Sequence, residues 1–200
     1  MTKTFLIADT HFFHENVIKY CNRPFKSIEE MNQTMIKNWN EMVDDNDIIY
    51  HLGDFTMVPY IEGLSYKDRY ISIANKLLDR LNGKKYLIRG NHDPRKGILE
   101  KCHFETTFRE LELDGFLLTH RPKETDLINI HGHVHDKFPF WYLENDKDKF
   151  NVSADMIGFR PIELNILSEE MTHPHLRGGR LLPVRGLKSL TDSARSLPPL

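Results

Sequence analysis

Five short apolar runs, each of strand length and each stopping at aspartate, asparagine or histidine, set the pattern of this chain. Phe5-Leu6-Ile7-Ala8 leads into Asp9 and His11, and Ile48-Ile49-Tyr50-His51-Leu52-Gly53 leads into Asp54. Tyr86-Leu87-Ile88-Arg89-Gly90 leads into Asn91, His92 and Asp93. Phe116-Leu117-Leu118-Thr119 precedes His120, and Ile128-Asn129-Ile130-His131-Gly132 precedes His133 and His135. The first run, Thr4 to Ala8, is apolar without alternation and reads as a strand buried on both faces.

Helical spacing separates the early runs. Ser27 and Glu30 form a capping-box pattern, and Ile28, Met31, Met35, Ile36, Trp39, Met42 and Val43 follow at helical intervals, predicting a helix over residues 28–43. Asp47 to Leu52 is the next strand, and residues 54–65, with Pro59 and Gly63, read as a loop. A second amphipathic helix carries Tyr70, Ile73, Leu77 and Leu81 and stops at Asn82-Gly83, before a strand from Lys85 to Ile88. Helices alternating with strands predict crossover units in a largely parallel sheet.

The second half changes style. Phe108 to Leu113, Asp114-Gly115 and Phe116 to Leu118 give a hairpin signal, since Asp-Gly suits a tight turn with positive φ. Strands at Leu127–Ile130 and Phe150–Ser153 follow without long helices between them, and residues 136–149, rich in Lys, Asp and aromatics, read as an exposed loop. The class is therefore α/β, with two mixed sheets packed together and helices outside.

Composition narrows the classes. Two hundred residues suit one domain and bury a real core. A 40% apolar share and a net charge of −2 give no global reason to bind nucleic acid or membrane. No run reaches signal-core or membrane-spanning length, and Cys21 and Cys102 are too few for a disulfide framework, so a cytoplasmic protein with reduced thiols is expected. Nothing in the sequence sets an oligomeric state. From residue 172 glycine and proline break every periodicity, and five basic residues face only Asp192, giving +4 there and −6 over residues 1–171. Residues 1–171 are read as the domain and 172–200 as a basic, solvated tail; an arm attracting nucleic acid is the less favoured alternative.

The unusual count is eleven histidines. Taken singly, an Asp-x-His or Gly-Asp is a turn or a hydrogen-bonded pair, but turns do not explain the same residue types at five strand ends. In open α/β sheets ligands bind beyond the carboxyl ends of the strands. Imidazole and carboxylate without thiolate suit Mn, Fe, Zn or Ni and argue against a closed structural zinc site. Seven candidate ligands, Asp9, His11, Asp54, Asn91, His120, His133 and His135, exceed the needs of one ion and suit two that share a carboxylate.

Asp9-Thr10-His11, Gly53-Asp54, Gly90-Asn91-His92-Asp93, His120 and Gly132-His133-Val134-His135 together resemble the calcineurin-like metallophosphoesterases over residues 4–165. The resemblance implies a four-layer αββα sandwich of two mixed sheets, the metallo-dependent phosphatase fold. It implies one metal on Asp9, His11 and His135, another on Asn91, His120 and His133, and Asp54 bridging. It further implies two divalent ions, Mn favoured, a bridging hydroxide as nucleophile, and His92 as the acid that protonates the leaving oxygen. Such a centre carries a small net positive charge and would neutralise a singly charged phosphodiester.

The remaining candidates carry alternatives. Asp93 either orients His92 or caps a helix before Pro94. His14 faces substrate or the surface, and Asn91 offers its amide to a phosphoryl oxygen. Arg121, Arg89 and Arg160 are phosphate clamps or ion-pair partners. His51 and His131 read as packed or supporting histidines. Phe12, Phe13, Phe138, Phe140, Trp141 and Tyr142 stack on substrate or pack locally. Asp54 is followed by Phe55-Thr56-Met57-Val58 in place of the Val-Asp-Arg-Gly pattern of the phosphoprotein phosphatases, and Ala8 replaces a glycine found in some relatives. The sequence looks more like the small bacterial and phage phosphodiesterases of the family, which implies a small phosphodiester substrate. A phosphomonoesterase or nucleotidase, and a non-catalytic binding module, are the rivals.

Overall fold

The computed structural model describes residues 1–145 and 147–172. In chain order the elements are β1 (Thr4–Ile7), α1 (Glu15–Tyr20), α2 (Ile28–Met42), β2 (Ile48–His51), α3 (Tyr66–Leu78), β3 (Lys84–Ile88), α4 (Lys96–Leu99), β4 (Thr106–Phe108), β5 (Glu110–Leu113), β6 (Phe116–Thr119), β7 (Ile128–His131), β8 (Trp141–Glu144), β9 (Lys147–Asn151), β10 (Ile162–Glu163) and α5 (Leu164–Thr172). One compact unit spans Met1–Asn165, and a second begins at Ile166. The basic stretch after residue 172 lies outside the described residues.

Two five-stranded mixed sheets form the first unit. One runs β10-β1-β2-β3-β4, parallel except for β10; the other runs β5-β6-β7-β9-β8, parallel at β6-β7-β9 with antiparallel edges. This is the α/β sandwich that the sequence predicts. Ile7, His51 and Leu87 share one row of the first sheet, while Leu118 pairs Ile130 and His131 pairs Asn151 in the second. Beyond β1, Ala8 forms a parallel bridge to Ser153, with Ala8 N–H on Val152 O at 2.9 Å and Ala154 N–H on Ala8 O at 2.8 Å. That bridge ties the carboxyl ends of the two sheets together.

The helices form where their caps and apolar faces dictate. Ser27 Oγ accepts from Glu30 N–H at 3.2 Å, and Met31, Met35 and Trp39 of α2 are buried, with the Trp39 ring stacked 6.5 Å from His51 of β2. α3 ends at Leu78, earlier than its apolar spacing predicts. Arg80 and Leu81 donate three residues back, to Leu77 and Leu78, so the last turn tightens while Leu81 stays buried.

Two sequence expectations need correction. Phe108 closes β4 in the first sheet, so the hairpin strand starts at Glu110; the turn itself has the expected positive φ at Asp114 and Gly115. Residues 136–149 are not one exposed loop, because a short 3-10 turn at His135–Lys137 is followed by β8 and most of β9, which pair antiparallel. Their charges are matched across the sheet edge. Trp141 Nε1–H donates to Asp148 at 2.9 Å, Lys147 pairs with Asp126, and Lys149, 2% exposed, pairs with Glu124 and Glu144.

Candidate metal centre

The parallel strands β1, β2, β3, β6 and β7 all stop at one edge, and the residues just beyond them converge. Five of the seven candidate ligands have left-handed backbone: Asp9 (φ 54°), His11 (49°), Asp54 (57°), His133 (71°) and His135 (49°). Aspartate tolerates this region, whereas each histidine held there costs about 1 kcal/mol or more and persists only where its surroundings fix it. Three motif glycines make the close approach possible. A Cβ on Gly53 would meet His120 Nδ1 at 2.5 Å and Gly90 N at 2.6 Å, one on Gly90 would strike the Asp54 carboxylate and amide, and one on Gly132 would strike the Asp9 carboxylate. Gly90→Ala is accordingly expected to destabilise the metal-free protein by roughly 1–3 kcal/mol. A thermal melt should show the loss as a Tm lower by several degrees; an unchanged Tm would contradict the packing.

Two ligand groups result. Asp9, His11 and His135 present atoms within 4.8 Å of one another, and so do Asp54, His120 and His133. Asp54 lies between them, its Oδ2 at 3.7 Å from His11 Nε2 and 3.5 Å from His120 Nε2, while its Oδ1 accepts from the His92 amide at 2.8 Å. Asn91 joins the second group, with Oδ1 3.0 Å from His120 Nε2.

The donor set fits divalent cations. Asp9 Oδ1 and His11 Nδ1 are buried with no hydrogen-bond partner among the described residues, an arrangement that is costly unless a ligand satisfies it. His120 Nδ1–H donates to Leu52 O at 2.8 Å, which directs the lone pair of Nε2 toward the lone pairs of Asn91 Oδ1. Burial keeps His120 neutral by lowering its pKa. Two acceptors facing each other across a short gap are relieved by a shared cation.

Side chains without any motif hold these ligands. Arg23, 4% exposed, donates to Asp9 O at 2.7 Å and Thr10 O at 2.9 Å, and pairs with Asp155 through Nε at 2.8 Å. Asp155 in turn accepts from His135 Nδ1 at 2.7 Å. Ser153 Oγ–H and the His133 amide donate to Asp9 Oδ2 at 2.8 and 2.7 Å. Asn151 donates to His135 O and Phe138 O. Sequence reasoning missed Arg23, Asn151, Ser153 and Asp155. One signal was available: the strand that ends at Asn151 also runs into polar residues, Ser153 and Asp155, at the same edge.

Asp93 requires a correction. Its carboxylate is buried and accepts from the backbone N–H of Gly90, Asp54 and Phe55 at 2.8–3.0 Å, so it neither orients the His92 ring nor caps a helix. It clamps the loop after β2 to the loop after β3. His92 is exposed beside the centre, its ring 5.5 Å from that of His11. His14 stands at the start of α1 without a side-chain cap, its ring 5.4 Å from His11. Arg121 is exposed and donates to Asn91 Oδ1 at 3.3 Å. Arg160 instead pairs with Glu41.

The supporting histidines are fixed: His51 bonds Thr10 Oγ1 at 2.9 Å and His131 bonds the Tyr142 hydroxyl at 2.8 Å. Burial lowers their pKa values to about 3 and about 4, so both are neutral near pH 7. Most flanking aromatics pack locally, with Phe12 on Phe55 and Phe140 on Phe150.

Charge in the ligand set is divided by environment. Burial pushes Asp9 up to about 7, opposed by His135. Burial also works against a charge on His135, but Asp155, Cys21 and Asp9 outweigh it and raise its pKa to about 10. Burial and His120 lower His133 to about 4, and burial with His135 and Arg23 depresses His11 further.

Comparison with known proteins agrees with this geometry. The model of the calcineurin-like phosphoesterase family matches residues 2–183. The uncharacterized protein MJ1445 of Methanocaldococcus jannaschii is 40% identical over 178 residues, covering 84% of this chain and 90% of that protein. Among solved structures, a protein of unknown function from Aquifex aeolicus, AQ665, superposes with a TM-score of 0.61 at 24% identity, covering 85% of this chain and all of that one, and so shares the fold. With its family model spanning nearly the whole chain and its ligand loops gathered at one sheet edge, the chain belongs to the calcineurin-like phosphoesterase family.

Proposed function

We propose that the protein is a phosphoric ester hydrolase that uses two divalent cations, Mn favoured, and cleaves small phosphodiesters. The observation that carries this is Asp54 Oδ2 standing between two ligand groups, 3.7 Å from one histidine and 3.5 Å from another. Asp9, His11 and His135 would hold one cation and Asn91, His120 and His133 the other, with Asp54 common to both. Such ions supply Lewis acidity toward phosphoryl oxygens and acidify water. The chain supplies the rest. Asp155 and Arg23 fix the first group, and Asp93 and Leu52 O fix the second. His92, exposed beside the centre, donates a proton to the leaving oxygen. Arg121 and the Asn91 amide bind phosphoryl oxygens, and His14 borders the same opening. The test is hydrolysis of bis-p-nitrophenyl phosphate beside p-nitrophenyl phosphate by the Mn-loaded protein. Metal-dependent preference for the diester is expected; preference for the monoester would move the activity to a phosphomonoesterase, and no cleavage of either would overturn the hydrolase.

Cation uptake should depend on pH at one group more than the other. Cations bind deprotonated ligands, so protons compete as pH falls. Below pH 7 both Asp9 (about 7) and His135 (about 10) carry protons that a cation must displace. Affinity there should drop by about tenfold per displaced proton per pH unit. His133 (about 4) and the depressed His120 are already neutral at pH 6. Calorimetric Mn titrations at pH 6, 7 and 8 should resolve one strongly and one weakly pH-dependent site, the weaker binding lying at low pH. Parallel behaviour of both sites would contradict the assignment.

A further inference from the structure

We propose that the cleft beside Asn91 and His120 is a second anion subsite, which binds a further phosphate of the substrate flanking the one that is cleaved. The inference rests on the phosphoesterase function above and specifies its substrate class: a phosphodiester with a neighbouring phosphate, as in a short oligonucleotide.

The cleft, about 350 Å³, is lined by Arg89, Arg109, Arg121 and Lys123 together with Asn91 and His120. Glu110 is its single acidic lining residue and is engaged by Lys123 at 2.6 Å. Four basic residues against one acid leave +3 in a chain whose net charge is −2. Among the described residues no carboxylate lies within ion-pair distance of Arg89 or Arg109, and neither side chain makes a hydrogen bond. Elsewhere Arg23 and Arg160 are paired with Asp155 and Glu41.

The cleft wall is also built rather than loose. Buried Asn129 accepts from the Lys123 amide at 2.8 Å and donates to Thr119 Oγ1 at 2.9 Å, and Thr119 Oγ1–H donates to Arg121 O at 2.7 Å. These bonds hold the segment 119–123, so the arginine and lysine project from a fixed backbone into one opening. Guanidinium groups without protein partners match phosphate oxygens in charge and fork geometry. Asn91 and His120 belong to the proposed cation centre as well as to the cleft, so an anion held there adjoins the cleaved ester.

The experiment compares d(TpT), which has one phosphate, with d(pTpT) and d(TpTp), which add a phosphate at either end. The Mn-loaded protein should hydrolyse one of the latter with kcat/KM about tenfold or more above d(TpT). Arg109→Gln and Lys123→Gln should remove that gain and leave d(TpT) turnover unchanged, and Arg109→Lys should restore part of it. Equal kcat/KM for the three substrates, or a full gain in both variants, would overturn the subsite. Calorimetric binding of the same compounds to the Mn-loaded His92→Asn protein separates the two claims. If nothing is hydrolysed, the phosphoesterase function fails. Tighter binding of one phosphorylated dinucleotide, lost in Arg109→Gln, would still sustain the subsite, and equal binding would reject it.

Discussion

Replacing Asp54 by asparagine is expected to weaken cation binding at both ligand groups by about a thousandfold and to take phosphoesterase turnover below detection. The carboxylate is 2% exposed and lies within 3.7 Å of a histidine nitrogen from each group, so no other side chain can replace its charge. A unit charge at ion-pair distance is worth about 4 kcal/mol at the effective dielectric of such sites, which is about three orders of magnitude in an equilibrium constant. Asparagine keeps the shape, and its Oδ1 can still accept from the His92 amide, so the loops after β2 and β3 should stay in place. Without cations the sign of the stability effect reverses. Burial raises the Asp54 pKa, so its charge opposes folding of the metal-free protein, and the variant should be more stable by about 1–3 kcal/mol. The Tm should therefore rise by several degrees without Mn and fall below wild type with it. Retention of two Mn per chain at wild-type affinity, measured by elemental analysis after dialysis, would remove Asp54 from its shared position.

The strand ends were legible in the sequence because a parallel sheet turns serial order into spatial adjacency. Once β1, β2 and β3 pair in register, Asp9, Asp54 and Asn91 must emerge at one edge, and β6 and β7 do the same for His120 and His133. The motif glycines were legible for a related reason, since a Cβ at Gly53, Gly90 or Gly132 collides with a ligand loop. Long-range support was not legible. Arg23 and Asp155 are 132 residues apart and Ser153 and Asp9 are 144 apart, so the polar run after β9 marks Ser153 and Asp155 as strand-end residues without saying which distant side chains they hold.

Charge patterning misled at residues 136–149. A Lys-Asp-Lys stretch reads as solvated, yet Lys149 is buried because Glu124 and Glu144 reach it from flanking segments. A local reading cannot supply those partners. Asp93 shows the same limit on a smaller scale. Next to His92 and before Pro94 it invites a catalytic or capping role, but its buried carboxylate takes three backbone amides that the tight turns at Gly53 and Gly90 leave without ladder partners. Its loss would act on the ligands through the backbone, not on the proton donor.

His92→Asn should separate proton donation from cation binding. The His92 side chain belongs to neither ligand group, and only its backbone N–H contacts Asp54. Asparagine preserves that amide, so metal content and Tm should match wild type. What is lost is an imidazole beside the centre, 5.5 Å from the His11 ring, able to protonate the departing oxygen. General acid catalysis of this kind is worth about 10² to 10⁴ in rate. The cost should depend on the leaving group, because an alkoxide needs the proton as its bond breaks whereas p-nitrophenolate leaves readily as the anion. For a dinucleotide the loss in kcat should therefore approach the upper part of that range, and for bis-p-nitrophenyl phosphate it should be about tenfold or less. Equal losses for the two substrates would assign His92 to phosphate binding instead, and loss of Mn from the variant would place it among the ligands.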